Sequence, residues 1–433
     1  MALFKNIKKA FMKEYLDLER NDIDLNMFHP QFRLLILPMG VFFNNTDSKI
    51  RFIWPTASLL LMFVWLGSLV YFIYYGVSIE DFFFATESFC YLVIYGVSPF
   101  IYGAMIIYRK FVWLITDEMD KDFIDMCKAN NRHRKHFLDQ QLLLWKLFFA
   151  WAIFTTFIML LFIAMALIPL LFTTIFGTQD EHYERPFIFP VKVPQFDPLI
   201  TPNYEIILCL EIYLCVVFLQ CFPVYIYISF HILLHTCIKL DLVALDIKEM
   251  FTDLDSLTMT LPLDDERRIA TQRTLRQRMK IIVDRHVSVF TSVTTLSKLV
   301  GPPLAYQLLV SSLCLCLIMY QIEVKLYGGV LDLRYVMLFC GHCLQLAILC
   351  SLGTILQTKA YAVGDACWNC GWQETPLGQL VRQDILIVIL RSQQPLSIKF
   401  IGLPQLSLAT FSSVISTAYT YFNMLRQYNN SHF

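Results

Sequence analysis

Seven stretches of this chain are apolar enough and long enough to cross a bilayer, and no other feature constrains the fold as strongly. A helix needs about 20 apolar residues to span the hydrocarbon core. The pattern predicts spans at Phe52–Gly76, Phe82–Tyr108, Leu147–Phe176, Tyr204–His235, Leu299–Tyr320, Tyr335–Gln357 and Pro404–Tyr428. Hydrophobic residues make up 57% of the 433, and charged residues only 16%. A soluble domain carries about 25% charged residues, so this deficit also places the chain in a membrane. The fold class is all-α: a seven-transmembrane helical protein. The run Leu34–Phe43, broken by Pro38, is too short to span and reads as an interfacial or re-entrant piece.

Basic residues set the orientation. The N-terminal segment and the segments after spans two, four and six are rich in Lys and Arg. The loops after spans one, three and five hold only Arg185, Lys192, Lys325 and Arg334. The N-terminus is therefore cytosolic and the C-terminus extracellular. This divides the chain into a cytosolic segment (1–50), spans one to six with cytosolic helical extensions at 109–146 and 236–298 (51–357), a cytosolic anchor region with a helix at Leu377–Leu390 (358–403), and the last span with a short outer tail (404–433). The loop after span three carries Pro186, Pro190, Pro194, Pro198 and Pro202, which predicts a stiff, extended segment. A G-protein-coupled receptor has the opposite topology, and its Asp-Arg-Tyr and Asn-Pro-x-x-Tyr motifs are missing. No internal repeat points to a secondary transporter.

Lys+Arg and Asp+Glu balance at 35 each, so no global field suggests nucleic acid. The 13 cysteines fall in spans or cytosolic segments, where thiols stay reduced. The first thirty residues lack the apolar core of a cleavable signal, so targeting is expected to use a membrane helix itself. His231 and His235 share a helical face but have no evident third metal ligand, and Cys367-x-x-Cys370 lacks a second pair. The sequon at Asn44 is expected to be cytosolic and unused, and the one at Asn429 lies beside the bilayer. Glu211, an ionisable residue inside span four, is a functional candidate, with protonation or pairing within the bundle as equal alternatives. No phosphate-binding loop or hydrolase signature is present, and the chain is not read as an enzyme.

The last span is not uniformly apolar. Ser407, Thr410, Val414, Thr417, Tyr421, Met424 and Tyr428 recur at steps of three and four and fall on one stripe. Ser413, Thr420 and Gln427 flank it. The stripe suits close helix packing, with hydroxyls bonded to their own backbone, or a water-filled path between helices.

Three stretches carry a resemblance. Ala362-Val363-Gly364-Asp365-Ala366 with Trp368, and Leu390-Arg391-Ser392-Gln393-Gln394-Pro395, resemble segments that follow the sixth span of insect odorant receptors. The run from Ser416 through Thr420-Tyr421-Phe422-Asn423-Met424-Leu425-Arg426 to Tyr428 is similar to that family's C-terminal signature, departing from it at Asn423 and Met424. Gustatory receptors share the architecture but end in a different pattern.

The resemblance implies an odorant-gated, non-selective cation channel: a heterotetramer of a tuning subunit with the odorant receptor co-receptor, passing monovalent and divalent cations. It favours the water-filled reading of the last helix. It implies multi-pass insertion in the plasma membrane of olfactory sensory neuron dendrites, in contact with lipid, and no cofactor. The family's volatile-odorant pocket maps onto Tyr91, Tyr95, Phe162, Met165, Ile207, Tyr213, Phe339, His342 and Cys343, and the pore and gate onto Thr417, Tyr421, Met424, Gln427 and Tyr428. A gustatory-type channel and a pore-less seven-span receptor are the alternatives.

Overall fold

Among the described residues ten helices of more than two turns follow one another: α1 (Ile53–Ser78), α2 (Phe82–Tyr95), α3 (Val97–Ile107), α4 (Arg109–Cys127), α5 (Asn131–Phe176), α6 (Asn203–Lys248), α7 (Glu266–Tyr327), α8 (Leu333–Trp368), α9 (Gly378–Ser392) and α10 (Leu408–His432). The computed structural model describes residues 53–176, 185–193, 197–394, 396–398 and 405–432 and most of 9–35, with backbone only at 173, 174, 176 and 428–432. The run Leu34–Phe43, apart from Leu35, and the sequon at Asn44 lie outside the described residues, as does the side chain of Tyr428.

Aspartates start three of these helices. The carboxylates of Asp81, Asp265 and Asp332 accept the amides of Phe84, Arg267 and Arg334 at 3.0, 2.8 and 3.1 Å. Each satisfies a first-turn donor that the helix itself leaves unpaired. The second span breaks at Gly96, where Pro99 cannot donate to the carbonyl one turn back. A Cβ on Gly96 would overlap the Tyr306 hydroxyl, so the glycine lets α7 approach closely. Tyr306 donates to the Val93 carbonyl at 3.0 Å and closes that contact.

Among the described residues six helical stretches are long and apolar enough to cross a membrane: α1, α2 with α3, α5, α6, α7 and α8. The hydroxyls and amides of α10 keep it off that roll. Its contacts nevertheless run the depth of the bundle. At its start, the Leu408 amide donates to Thr354 of α8 at 3.1 Å, and near its end Arg426 pairs with Glu323 of α7 at 2.9 Å. Its 25 residues rise about 37 Å, against a hydrocarbon core of about 30 Å. The helix begins at Leu408 rather than Pro404 because Ser407 serves as its cap, accepting the Thr410 amide at 3.3 Å.

From Val224 to Val243 α6 is buried on nearly every side, so the other helices are arranged about it. Below the bilayer, ion pairs tie α4, α6, α7 and α8 together. Lys239 reaches Glu118 at 2.7 Å and Asp122 at 3.1 Å, Lys359 reaches Asp241 at 2.7 Å, and Arg285 pairs with Asp246. Burial opposes ionisation of Glu118 and Asp122, yet the bonds they accept outweigh it and hold both carboxyls below their ordinary values. These bonds come from Lys239, Ser288 and Ser292 for Glu118, and from His235 and Lys239 for Asp122. Of the basic residues after span four, Arg285 thus meets a carboxylate of α6, and Arg278 donates to the carbonyls of Met250 and Thr252 at 2.9 and 2.7 Å.

Two stretches singled out in the sequence meet in space. A Cβ on Gly364 of α8 would overlap the Ser392 hydroxyl at the end of α9. Glycine at that position lets the two cytosolic helices close on each other.

Candidate functional site

Near mid-span depth, α2, α3, α5, α6, α7 and α8 enclose a cavity of about 120 Å³. Its wall is mainly apolar: Val93, Val97, Phe154, Ile158, Met159, Phe218, Phe222, Val310, Ile318 and Leu338. Helical periodicity brings these residues to one point, since each helix contributes positions three or four apart. Gly341 narrows the gap between α8 and α5, where a Cβ would sit 3.3 Å from Ile158.

Six polar side chains interrupt that wall, and two of them, Thr155 and Tyr306, donate to the backbone carbonyls of Trp151 and Val93 at 3.0 Å. The other four are Gln307, Gln345, His342 and Trp151. Both side-chain atoms of Gln307, Nε2 of Gln345, Nε2 of His342 and Nε1 of Trp151 have no hydrogen-bond partner among the described residues. Buried polar groups are nearly always bonded, so four convergent exceptions need a reason. An apolar chamber with a few unsatisfied polar tips suits a small, mostly apolar ligand carrying one or two hydrogen-bonding atoms. The volume is close to the ~150 Å³ apolar cavity that admits benzene. No group of three His, Cys, Asp or Glu side chains among the described residues could hold a metal ion.

His342 is the residue from the sequence-derived pocket that lines this cavity. Tyr91 and Tyr95 stand farther out, with Phe189 against them edge-on at centroid distances of 5.1 and 5.5 Å. Phe162 is buried on α5, while Met165 one turn on is 40% exposed. Ile207 is half-buried, and Tyr213 meets Trp54 of α1 edge-on at 5.7 Å. Phe339 packs in a second cluster with Tyr335 and Leu425, and Cys343 is half-buried. Trp151, Tyr306, Gln307 and Gln345 were not anticipated. The signal for the two glutamines was there: amides in the middle of apolar spans are costly and seldom idle.

The outer tyrosines are covered by the loop after span three, which folds back into the bundle. Ile188 and Phe189 are 1% and 3% exposed. Their amides donate to the two carboxylate oxygens of Glu211 at 2.8 and 3.4 Å. Tyr204 donates to the Pro186 carbonyl at 2.9 Å, and Lys192 pairs with Asp81 at 2.5 Å. Glu211 therefore pins a roof.

On α10, Phe411, Val414 and Ala418 turn inward, and Leu425 packs on the outer cluster. Ser413, Ser416, Thr420, Met424 and Gln427 line the face left exposed. Thr417 is half-buried at the edge of that face, and Tyr421 is exposed. The hydroxyls of Thr417 and Thr420 donate to the carbonyls of Ser413 and Ser416 at 2.8 and 3.0 Å. Their lone pairs are left facing outward.

Residues 81–419 match the 7tm odorant receptor family. Similar curated proteins include Odorant receptor 13a of Drosophila melanogaster, 28% identical over 35% of this chain and 38% of its own length. Odorant receptor Or2 of Anopheles gambiae is 23% identical over 56% of this chain and 61% of its own. The odorant receptor coreceptor of Anopheles gambiae is 28% identical over 35% and 32%. The chain thus spans about a third to three fifths of the curated relatives it matches. The fold is similar to that of the insect olfactory receptor OR5 from Machilis hrabei in complex with eugenol, with a TM-score of 0.72 over 92% of this chain and 98% of that one at 15% identity. That likeness assigns α10 as the seventh crossing. With the family matched over most of its length, the chain belongs to the 7tm odorant receptor family.

Proposed function

We propose that the chain is the tuning subunit of an odorant-gated, non-selective cation channel. The observation that carries this reading is the mid-span cavity, mainly apolar and with four unpartnered polar groups in its wall. A volatile molecule gains affinity there from apolar burial and dispersion, and one hydrogen bond sets its orientation. Gln307, Gln345, His342 and the Trp151 indole offer both donors and acceptors, so an alcohol, phenol or carbonyl compound suits the chamber. The OR5 relative was solved with eugenol, a compound of that kind. Tyr95 packs on the wall residue Phe218 at 4.5 Å, and Tyr91, Phe162, Met165, Ile207, Tyr213, Phe339 and Cys343, which do not line the cavity, act on ligand choice through packing.

The same reading gives α10 the conducting path. Its exposed hydroxyl face meets its counterparts on neighbouring subunits, and Met424, Gln427 and Tyr428 form the narrow outer part. An apolar ring at Met424 gates by dewetting, with Thr417 and Tyr421 continuing the lining inward. Assembly with a co-receptor is supported by the exposed apolar side chains of the cytosolic helices, Trp368, Ile387 and Leu390. Patches of that kind mark protein contacts. The working location is the plasma membrane of olfactory dendrites, where the channel meets lipid and both monovalent and divalent cations.

Co-expression in oocytes with and without a co-receptor tests this. A panel of small alcohols, phenols and esters should evoke inward current only in the pair. Gln345→Leu should raise the half-maximal concentration of a polar agonist about fivefold, the worth of one net hydrogen bond. Surface delivery without current for any pairing or ligand would refute the channel reading.

A further inference from the structure

A second cavity of about 120 Å³ lies in the cytosolic half of the bundle, between α5, α6 and α8. Phe148, Trp151, Phe230, Ile348 and Leu352 make it apolar, and His231 also lines it. His231 is 1% exposed, and neither ring nitrogen has a partner among the described residues. The neighbouring imidazoles each hold a partner through at least one nitrogen, although His29, edge-on to His231 with ring centroids 4.3 Å apart, keeps an unpartnered Nδ1. His29 meets Gln141 at 3.2 Å, and His235, one turn along α6, meets Gln141 at 2.9 Å and Asp122 at 2.9 Å. His231 packs against the rings of His29 and Phe32 at centroid distances of 4.3 and 4.8 Å and also borders the cavity, which offers room for a partner.

We propose that this inner cavity is a second small-molecule site, taking a lipid-soluble alcohol or phenol about the size of benzyl alcohol, with its hydroxyl on His231. A neutral imidazole offers one donor and one acceptor, so a hydroxyl can be satisfied in either sense. The apolar wall accepts a ring or short chain, and the volume excludes a sterol or a whole acyl chain. Leu147, also in the wall, is 54% exposed on the membrane face of α5, so the route in is from the bilayer, where such compounds concentrate. Trp151 lines both this cavity and the mid-span one. Any coupling between the two ligands through that indole acts by the same factor in both directions.

The proposal is independent of ion conduction, and so is its test. The full chain, purified with its co-receptor into phosphatidylcholine vesicles, is photolabelled with a trifluoromethyl-diazirine benzyl alcohol and mapped by peptide mass spectrometry. Adducts are expected on the peptides holding Phe148 to Trp151 and Phe230 to Leu234. Benzyl alcohol should compete for them, and toluene, which lacks the hydroxyl, should compete about fivefold less well. His231→Leu should abolish that preference, His231→Gln should restore it, and Ile348→Trp should remove the inner adducts while leaving those at the mid-span cavity. Equal competition by toluene and benzyl alcohol on the unaltered protein would overturn the hydroxyl assignment without any variant having to fold. Adducts confined to the mid-span cavity, or spread over lipid-facing residues without competition, would overturn the site.

Discussion

Replacing Glu211 by Ala should release the roof over the outer tyrosines. In the structure its carboxylate accepts two buried amides, Ile188 at 2.8 Å and Phe189 at 3.4 Å. A hydrogen bond contributes about 0.5–1.5 kcal/mol net, and a buried donor left unpaired costs about 1–3 kcal/mol. The shorter bond lies at the upper end of that range and the longer adds little, so the loss is about 3 kcal/mol. At about 1.4 kcal/mol per decade, this raises the open population of the loop about 150-fold. Amide hydrogen exchange reads such local openings directly. Protection at Ile188 and Phe189 should fall about a hundredfold in Glu211→Ala, and about tenfold in Glu211→Gln, which keeps one acceptor oxygen. Amides in α6 and α7 should keep their protection, because the bonds that are lost lie in the loop. Unchanged exchange at both amides in the alanine variant, with the chain folded, would refute the assignment of Glu211 as the anchor.

Other outcomes follow from contacts elsewhere in the molecule. Gly364→Ala should impair folding and surface delivery, because its Cβ meets the Ser392 hydroxyl; adding Ser392→Ala should restore delivery, since the remaining Cβ contact of 3.4 Å is an ordinary one. The melting temperature of the detergent-solubilised protein should hold from neutral pH down to about 5 and fall below that, because Glu118 and Asp122, held under their ordinary values near 4, contribute stability that is lost as they protonate. Lys239→Met should reverse that slope: without the ammonium the buried carboxyls are costly when ionised, so acid should relieve the variant relative to the parent chain. Met424→Ala and Gln427→Ala should alter ion permeability or conductance in the paired channel, while Gln307→Leu should shift ligand preference and leave permeability alone; single-channel recording in mixed sodium and calcium separates the two.

Much of the architecture was legible because a membrane enforces simple rules. Apolar run length placed the helices, and the lysines and arginines oriented them, since neither depends on which helix lies beside which. Composition also placed hydroxyls on α10. The continuation of spans four and five into long cytosolic helices was legible in the charge spacing of 236–298. Length alone did not secure α10 as a crossing, because Ser, Thr and Asn lower its hydropathy; the likeness of the whole fold to the OR5 receptor did.

The mid-span cavity was another matter. Aromatics at helical spacing marked Tyr91 and Tyr95, yet these residues meet the returning loop, and that encounter joins residues about a hundred positions apart. Whether a mid-span glutamine is satisfied depends on what the facing helix presents, so Gln307 and Gln345 became informative only when their surroundings showed no partner. The same holds for Glu211, which sequence reading left between protonation and pairing and which the fold gave two backbone amides. Periodicity within one helix tells which side chains share a face. Only the packing of the other helices around α6 decides which of those faces close on each other and which enclose a space.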